Sequence, residues 1–122
     1  MCVRACVHAL SRCCCSGFSG TKESTINRLE TFAADGFVAM SFDMAEHGER
    51  MVDADSTTFV TRVRSNLRKF FWEILAQSAG EFTVVIDWAV ETLSVEPHVA
   101  VGGQSAGVCS RCCACQSFPQ TS

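Results

Sequence analysis

Two kinds of apolar pattern run through the middle of the chain. Ile26, Leu29, Phe32 and Ala33 recur at spacings of three and four, one face of a helix that Ser24 or Thr25 can cap. Gly36 supplies the stop, because it can take the left-handed conformation that ends many helices. Residues 37–42, FVAMSF, are apolar on both faces except at Ser41, which suits a short parallel strand covered on both sides. A polar loop, 43–50, follows. Most of 57–93 reads as helical. Leu67, Phe70, Phe71, Ile74 and Leu75 make one stripe, and Phe82, Val85, Ile86, Ala89 and Leu93 make another. Gly80 either separates two helices or lies within one. Pro97 then introduces a second strand, HVAVGG at 98–103.

Strand and helix alternating through short turns predict an α/β protein with a parallel sheet. Composition narrows the class. The 122 residues are 48% hydrophobic and 19% charged, with a formal net charge of -3. That is a globular balance, too apolar for disorder and too poor in positive charge for a nucleic-acid partner. No apolar stretch approaches the ~18 residues of a membrane span. Arg4, His8 and Arg12 are spread through the N-terminal segment, unlike a secretory signal. The expected compartment is a reducing cytoplasm.

The nine cysteines change this picture by their placement. Five lie at Cys2, Cys6, Cys13, Cys14 and Cys15, and four at Cys109, Cys112, Cys113 and Cys115. All 13 acidic residues fall between Glu23 and Glu96. An acidic middle thus stands between two cysteine-rich ends, which divides the chain into 1–15, 16–108 and 109–122. An odd cysteine count without a secretory signal argues against a disulfide framework. Cys109-x-x-Cys112 and Cys112-x-x-Cys115 have ligand-like spacing, but tidy zinc sites pair two separated knuckles, and Cys13-Cys14-Cys15 is consecutive. No metal or organic cofactor is expected, and a cysteine-ligated metal module is the weakest of three functional readings. The alternative is that both ends are shifted out of the ancestral reading frame, since tandem leucine codons displaced by one base read as cysteine. The coding DNA tests that.

The motif that carries chemistry is Gly103-Gln104-Ser105-Ala106-Gly107, a G-x-S-x-G pentapeptide directly after the second strand. A nucleophilic serine on a tight strand-to-helix turn needs small residues, because the turn is strained and passes close to neighbouring elements. That turn lifts the hydroxyl clear of the sheet, and the amide of Ala106 can donate to an oxyanion at the substrate carbonyl. The bland alternative is a glycine-rich turn whose serine merely caps a helix.

From Gly17 to Gly107 the chain resembles the first half of an α/β-hydrolase domain, in particular the dienelactone-hydrolase-like and prolyl-oligopeptidase-type esterases. SGFSGTKES at 16–24 is similar to that family's oxyanion loop. FAADGFVAMSFDMAEHGER at 32–50 is similar to its strand and following loop, and FFWEILAQSAGEFTVVIDWAVE at 70–91 to the helix before the elbow. VAVGGQSAG at 99–107 is similar to the elbow itself. The resemblance implies a partial α/β-hydrolase fold, a parallel sheet of about three strands with flanking helices, truncated after the nucleophile elbow. It implies Ser105 as nucleophile, Ala106 and Phe18 as the two oxyanion amides, and Gly103 and Gly107 as the elbow glycines. Where the family has a histidine before the loop glycine, this chain has Ser16. Asp43 and His47-Gly48 match a loop of structural use in the family, so His47 is not assigned as the base.

In this fold the triad runs serine, acid, histidine along the chain. No Asp, Glu or His follows Ser105, and His8, His47 and His98 all precede it. His98 is expected at the surface. The functional expectation is therefore a serine hydrolase of carboxylesterase type in a truncated or frameshifted copy, acting on a small ester if active. The rival is a non-catalytic pseudo-enzyme fragment or interaction protein. At most one strand is expected before residue 16. Half a sheet leaves apolar edges and faces uncovered, so poor solubility, self-association or a partner chain that completes the sheet is expected, with no nucleic acid and no membrane.

Overall fold

The computed structural model describes the backbone of residues 2–4 and 10–106, and side chains at 13, 16–96 and 99–106. Strand β1 (Cys2–Arg4) and strand β2 (Leu10–Cys15) come first, then a 3-10 turn at Lys22–Thr25 that runs into helix α1 (Ile26–Ala34). Strand β3 (Val38–Ser41) leads to a second 3-10 turn at Gly48–Arg50. Helices α2 (Ser56–Ser65) and α3 (Leu67–Leu93) and strand β4 (Glu96–Gly103) complete the order.

The four strands form one sheet in the order β1-β3-β2-β4. β2 is parallel to both neighbours, pairing Cys13 with Met40 of β3 and with Val101 of β4. β1 runs antiparallel on β3, with Val3 opposite Met40. Two strands therefore precede residue 16, where the sequence led us to expect at most one. The composition break at 15/16 falls at the end of a central strand. Cysteine can fill that place because its side chain packs as a small apolar group. Cys13 is buried at 0% exposure between its two neighbours.

The two faces of β3 explain its continuous apolarity. Val38 and Met40 pack with Ala89 and Val95, supported by Val90 and Leu93, so the end of α3 covers one face. Ala39 packs with Leu29 and Phe32, so α1 covers the other. A larger cluster joins Cys13, Phe42, Phe59, Ile74, Leu75 and Phe82 and gathers β2, α2 and α3 on the α3 side of the sheet. Full burial of side chains this size contributes about 1.5–3 kcal/mol each. On the opposite face Ala100 is exposed, and among the described residues β4 is paired on one side alone.

Local signals set the ends of the helices. Gly36 takes φ +89° after α1. Asp55 accepts a hydrogen bond from the Thr58 amide at 2.7 Å to cap α2, and Asn66 accepts one from the Lys69 amide at 3.1 Å to cap α3. The helical stretch is thus broken at Asn66, and Gly80 lies inside α3 with nothing near its missing side chain. Of the first apolar stripe, Ile74 and Leu75 are buried, Phe70 and Phe71 are half-buried, and Leu67 is 53% exposed at the helix start. Pro97 sits at a register shift, where Leu10 faces Glu96 and Ser11 faces Val99, so its missing amide costs no ladder bond. Among the described residues no helix is long and apolar enough to cross a membrane.

Candidate active site

β4 ends at Gly103, and within three residues the backbone enters the helical conformation at Ala106. That reversal is made by Ser105, which takes φ +52°, a left-handed conformation costing an L-residue about 1–2 kcal/mol. Ser105 is exposed, whereas Ala106 is buried at 3% and anchors the turn in the large cluster. A serine presented this way, on a strained turn at the end of a parallel strand, has its hydroxyl open to an incoming molecule.

The loop after β2 lies beside it. A β-carbon built on Gly17 would stand 3.5 Å from the Ser105 β-carbon and 3.4 Å from the Gln104 carbonyl oxygen. Those are ordinary contact distances for a side chain that glycine lacks, so the two loops run side by side with room for about one methyl group between them. The Gly20 amide donates to the Gly17 carbonyl at 2.9 Å, closing the loop into a turn with Phe18 and Ser19 at its tip. Phe18 is half-buried against Phe59 and Phe71, with ring centroids 5.3 and 5.6 Å apart. Ser16, where the resembled family has histidine, is buried with its hydroxyl unpartnered among the described residues.

Each parallel strand is followed by a loop containing a non-glycine residue at positive φ: Ser19 at 61° after β2, Glu46 at 58° after β3 and Ser105 at 52° after β4. Open parallel sheets bind ligands outside the carboxyl ends of their strands. Strained residues cluster where a structure holds a site. Both observations point to the same end of the sheet. Ser105, Ala106 and Phe18 are gathered there, with Gly103 at the strand end. Gly107, His8 and the cysteines at 109–115 lie outside the described residues, as does the side chain of His98.

The loop after β3 holds this end together through an ionic knot centred on Asp43, the residue to which the resemblance gave a structural use. The Asp43 carboxylate is buried. It accepts from the Lys22 amide at 2.8 Å, from the Lys22 ammonium at 3.0 Å and from the Glu49 amide at 3.3 Å. Lys22 also meets Glu49 at 3.1 Å and Glu23 at 3.3 Å. The Asp43 carboxylate, then that of Glu49, holds the Lys22 ammonium charged well above its usual range. Arg50 donates to the Asp43 carbonyl at 3.0 Å and grips Glu81 of α3 through two bonds of 2.6 and 2.7 Å. Arg62 of α2 binds Asp53 and, through a short contact, Glu46. The signal for this knot was present in the Asp43-to-Gly48 spacing, but its partner Lys22 comes from another loop.

A cleft of about 300 Å³ opens beside the knot, between Lys22, Asp43, Glu49 and Arg50 on one side and Glu81, Val84 and Val85 of α3 on the other. Neither Phe18 nor Ser105 lines it. Its cations are already paired with carboxylates, so it offers no open charge to a ligand.

His47 is 1% exposed. Its Nδ1 donates to the Ala45 carbonyl at 2.8 Å, and its ring stands edge-on to Phe18 at 5.7 Å and to Phe59 at 4.9 Å. Burial pushes its pKa below the usual histidine range, against the raising effect of the Ala45 bond and of Asp43 and Glu46. These contacts are those of a packed residue. Among the described residues no group of three or more His, Cys, Asp or Glu side chains gathers as a metal site would require.

No protein-family model matches the chain, and no curated protein matches its sequence. A solved structure does match: the crystal structure of TT1662 from Thermus thermophilus, at a TM-score of 0.60 and 22% identity. The match covers 86% of this chain and 42% of that one, so this chain spans less than half of its neighbour's length. At that identity the likeness is one of fold.

Proposed function

We propose that this chain carries the nucleophile elbow of a serine hydrolase of carboxylesterase type, in a partial α/β-hydrolase fold. The observation that carries the reading is Ser105 itself, an exposed serine at φ +52° on the turn that follows a parallel strand, beside the loop of Phe18. In this chemistry the Ser105 hydroxyl oxygen attacks the ester carbonyl carbon while its proton passes to a base. The carbonyl oxygen becomes an oxyanion that the amides of Ala106 and Phe18 would stabilise. Collapse of that intermediate breaks the bond to the alcohol, and water later releases the acid from the acyl-serine.

The chemistry needs a histidine base and an acid to orient it, and none follows Ser105. His47 does not supply the base, because its Nδ1 is bound to Ala45 and its other nitrogen is enclosed with Phe18 and Phe59. The enclosure of His47 favours a second reading, a non-catalytic chain that keeps the elbow without its reaction. A fluorophosphonate probe separates the two. Labelling at Ser105, abolished in Ser105→Ala, is the expected result. A folded sample that takes up no label would end the catalytic reading for this chain and leave the second.

A further inference from the structure

We propose that His47 is a positioning residue for the Phe18 loop, holding it against the Ser105 turn as a neutral ring and releasing it when protonated. The inference rests on the reading of Ser105 and Phe18 above for its catalytic consequence, but its structural part stands on geometry alone.

The Ala45 carbonyl can only accept, so His47 Nδ1 carries the hydrogen of their 2.8 Å bond and Nε2 is the bare nitrogen. That Nε2 is buried and has no hydrogen-bond partner among the described residues. The ring fills a layer of aromatic side chains in which Phe18 touches His47, Phe59 and Phe71. Phe18 is the large side chain of a loop whose own closure is a single turn, Gly20 to Gly17. Lys22 anchors the far end of the loop on Asp43, and the aromatic neighbours of Phe18 fix where its tip sits. Because Gly17 stands beside Gln104 and Ser105, movement of the loop is movement relative to the elbow.

A proton on Nε2 would place a cationic donor in this layer with nothing to accept it, a costly arrangement in an apolar setting. The charged groups around the ring do not compensate. Asp43 and Glu46 come from its own loop, but Asp43 is bound to Lys22 and Glu46 to Arg62. Arg50, from the next turn, opposes the charge. Arg62 of α2 lies over the Phe59 ring at 5.7 Å and adds a second cation on that side. From α3 the layer receives Phe71, and residues 16–20 carry no charge. The protonated ring gains water by swinging out, and Phe18 then loses one wall of its seat. Under the hydrolase reading this withdraws the second oxyanion amide as pH falls.

The test reads the loop directly. Amide exchange of residues 16–20 is followed in the wild-type chain between about pH 5 and 8, corrected for intrinsic rates, while an NMR titration reports the His47 ring nitrogens. The expected result is a loss of loop protection of about tenfold at the acid end, with the same midpoint as His47. His47→Phe keeps an aromatic wall without a titrating nitrogen and should abolish the acid step. His47→Ala should loosen the loop at every pH while the centre of α3 stays protected. Different midpoints for loop and ring, or an unchanged acid step in His47→Phe, would overturn the proposal. Fluorophosphonate labelling runs alongside. A loop that follows His47 with no labelling at any pH supports the positioning role and defeats the hydrolase reading alone.

Discussion

A β-carbon on Gly48 would lie 2.4 Å from the carboxylate of Asp43. The two residues share one space, and the chain also runs through Gly48 at φ +54°. Gly48→Ala must therefore both adopt a left-handed conformation and displace a carboxylate that organises two loops. It should lower stability by about 3 kcal/mol, read as a shift of the urea midpoint with unchanged slope. A variant as stable as the parent would contradict this account of the loop.

Asp43 accepts from two backbone amides as well as from Lys22, whereas Lys22 can lean on Glu49 and Glu23 if Asp43 is lost. Asp43→Ala should accordingly be the more destabilising of the pair, since it leaves buried donors unpaired. Lys22→Met keeps the aliphatic stem and should be milder. Thermal melting of both variants decides it, and the reverse order would show that the ammonium, not the carboxylate, is the organiser.

The left-handed turn at Ser105 has a direct thermodynamic signature. Ser105→Gly relieves the strain that Ser105→Ala retains, and both remove the hydroxyl. The glycine variant should be the more stable of the two by about 1 kcal/mol, the strain relief outweighing the added freedom of the unfolded chain. Equal stabilities would mean that the turn is not strained at that residue.

Lowered pKa values set the acid side of the stability profile, that of His47 in one range and those of Glu81, Asp53, Asp55 and Glu23 in another. His47 is neutral in the folded protein at pH values where the unfolded chain already binds a proton, so the unfolded state takes up more protons below about 6.5. Stability due to His47 is complete above that pH and falls as the solution is acidified toward its lowered folded value. Glu81 is held below the usual carboxylate range by its bond to Arg50. Its contribution persists to lower pH and is lost only as pH drops below about 4.3. Urea titrations across this range should show two declines, with the upper one missing in His47→Phe.

Much of this was legible from residue pattern. The helix after Thr25, the strand at 38–41 and the strand leading to Ser105 follow from apolar spacing and punctuation by glycine and proline. What escaped was decided by tertiary contact. Asn66 breaks the helical stretch because its side chain caps Lys69, whereas Gly80 is tolerated inside α3, a glycine costing about 1 kcal/mol there. The cysteine run reads as ligands or as foreign sequence, yet Cys13 is a core residue of the central strand. At the site, Ser105 announces itself through its pentapeptide. His47 does not, because only folding turns a loop histidine into one wall of the Phe18 seat.

The pairing of β2 with β4 has a consequence for how the molecule comes to be made. β2 finds β3 across a short stretch of chain, with α1 between them, but its other neighbour lies almost at the far end of the described residues. During synthesis β1, β2, α1 and β3 can assemble while α3 is still emerging. The ribosome must then release β4 before the central strand has its second partner and before Ser105 has a turn to stand on. Contacts of such long sequence separation form late and slowly. The residue most suggestive of chemistry is thus among the last to reach its place.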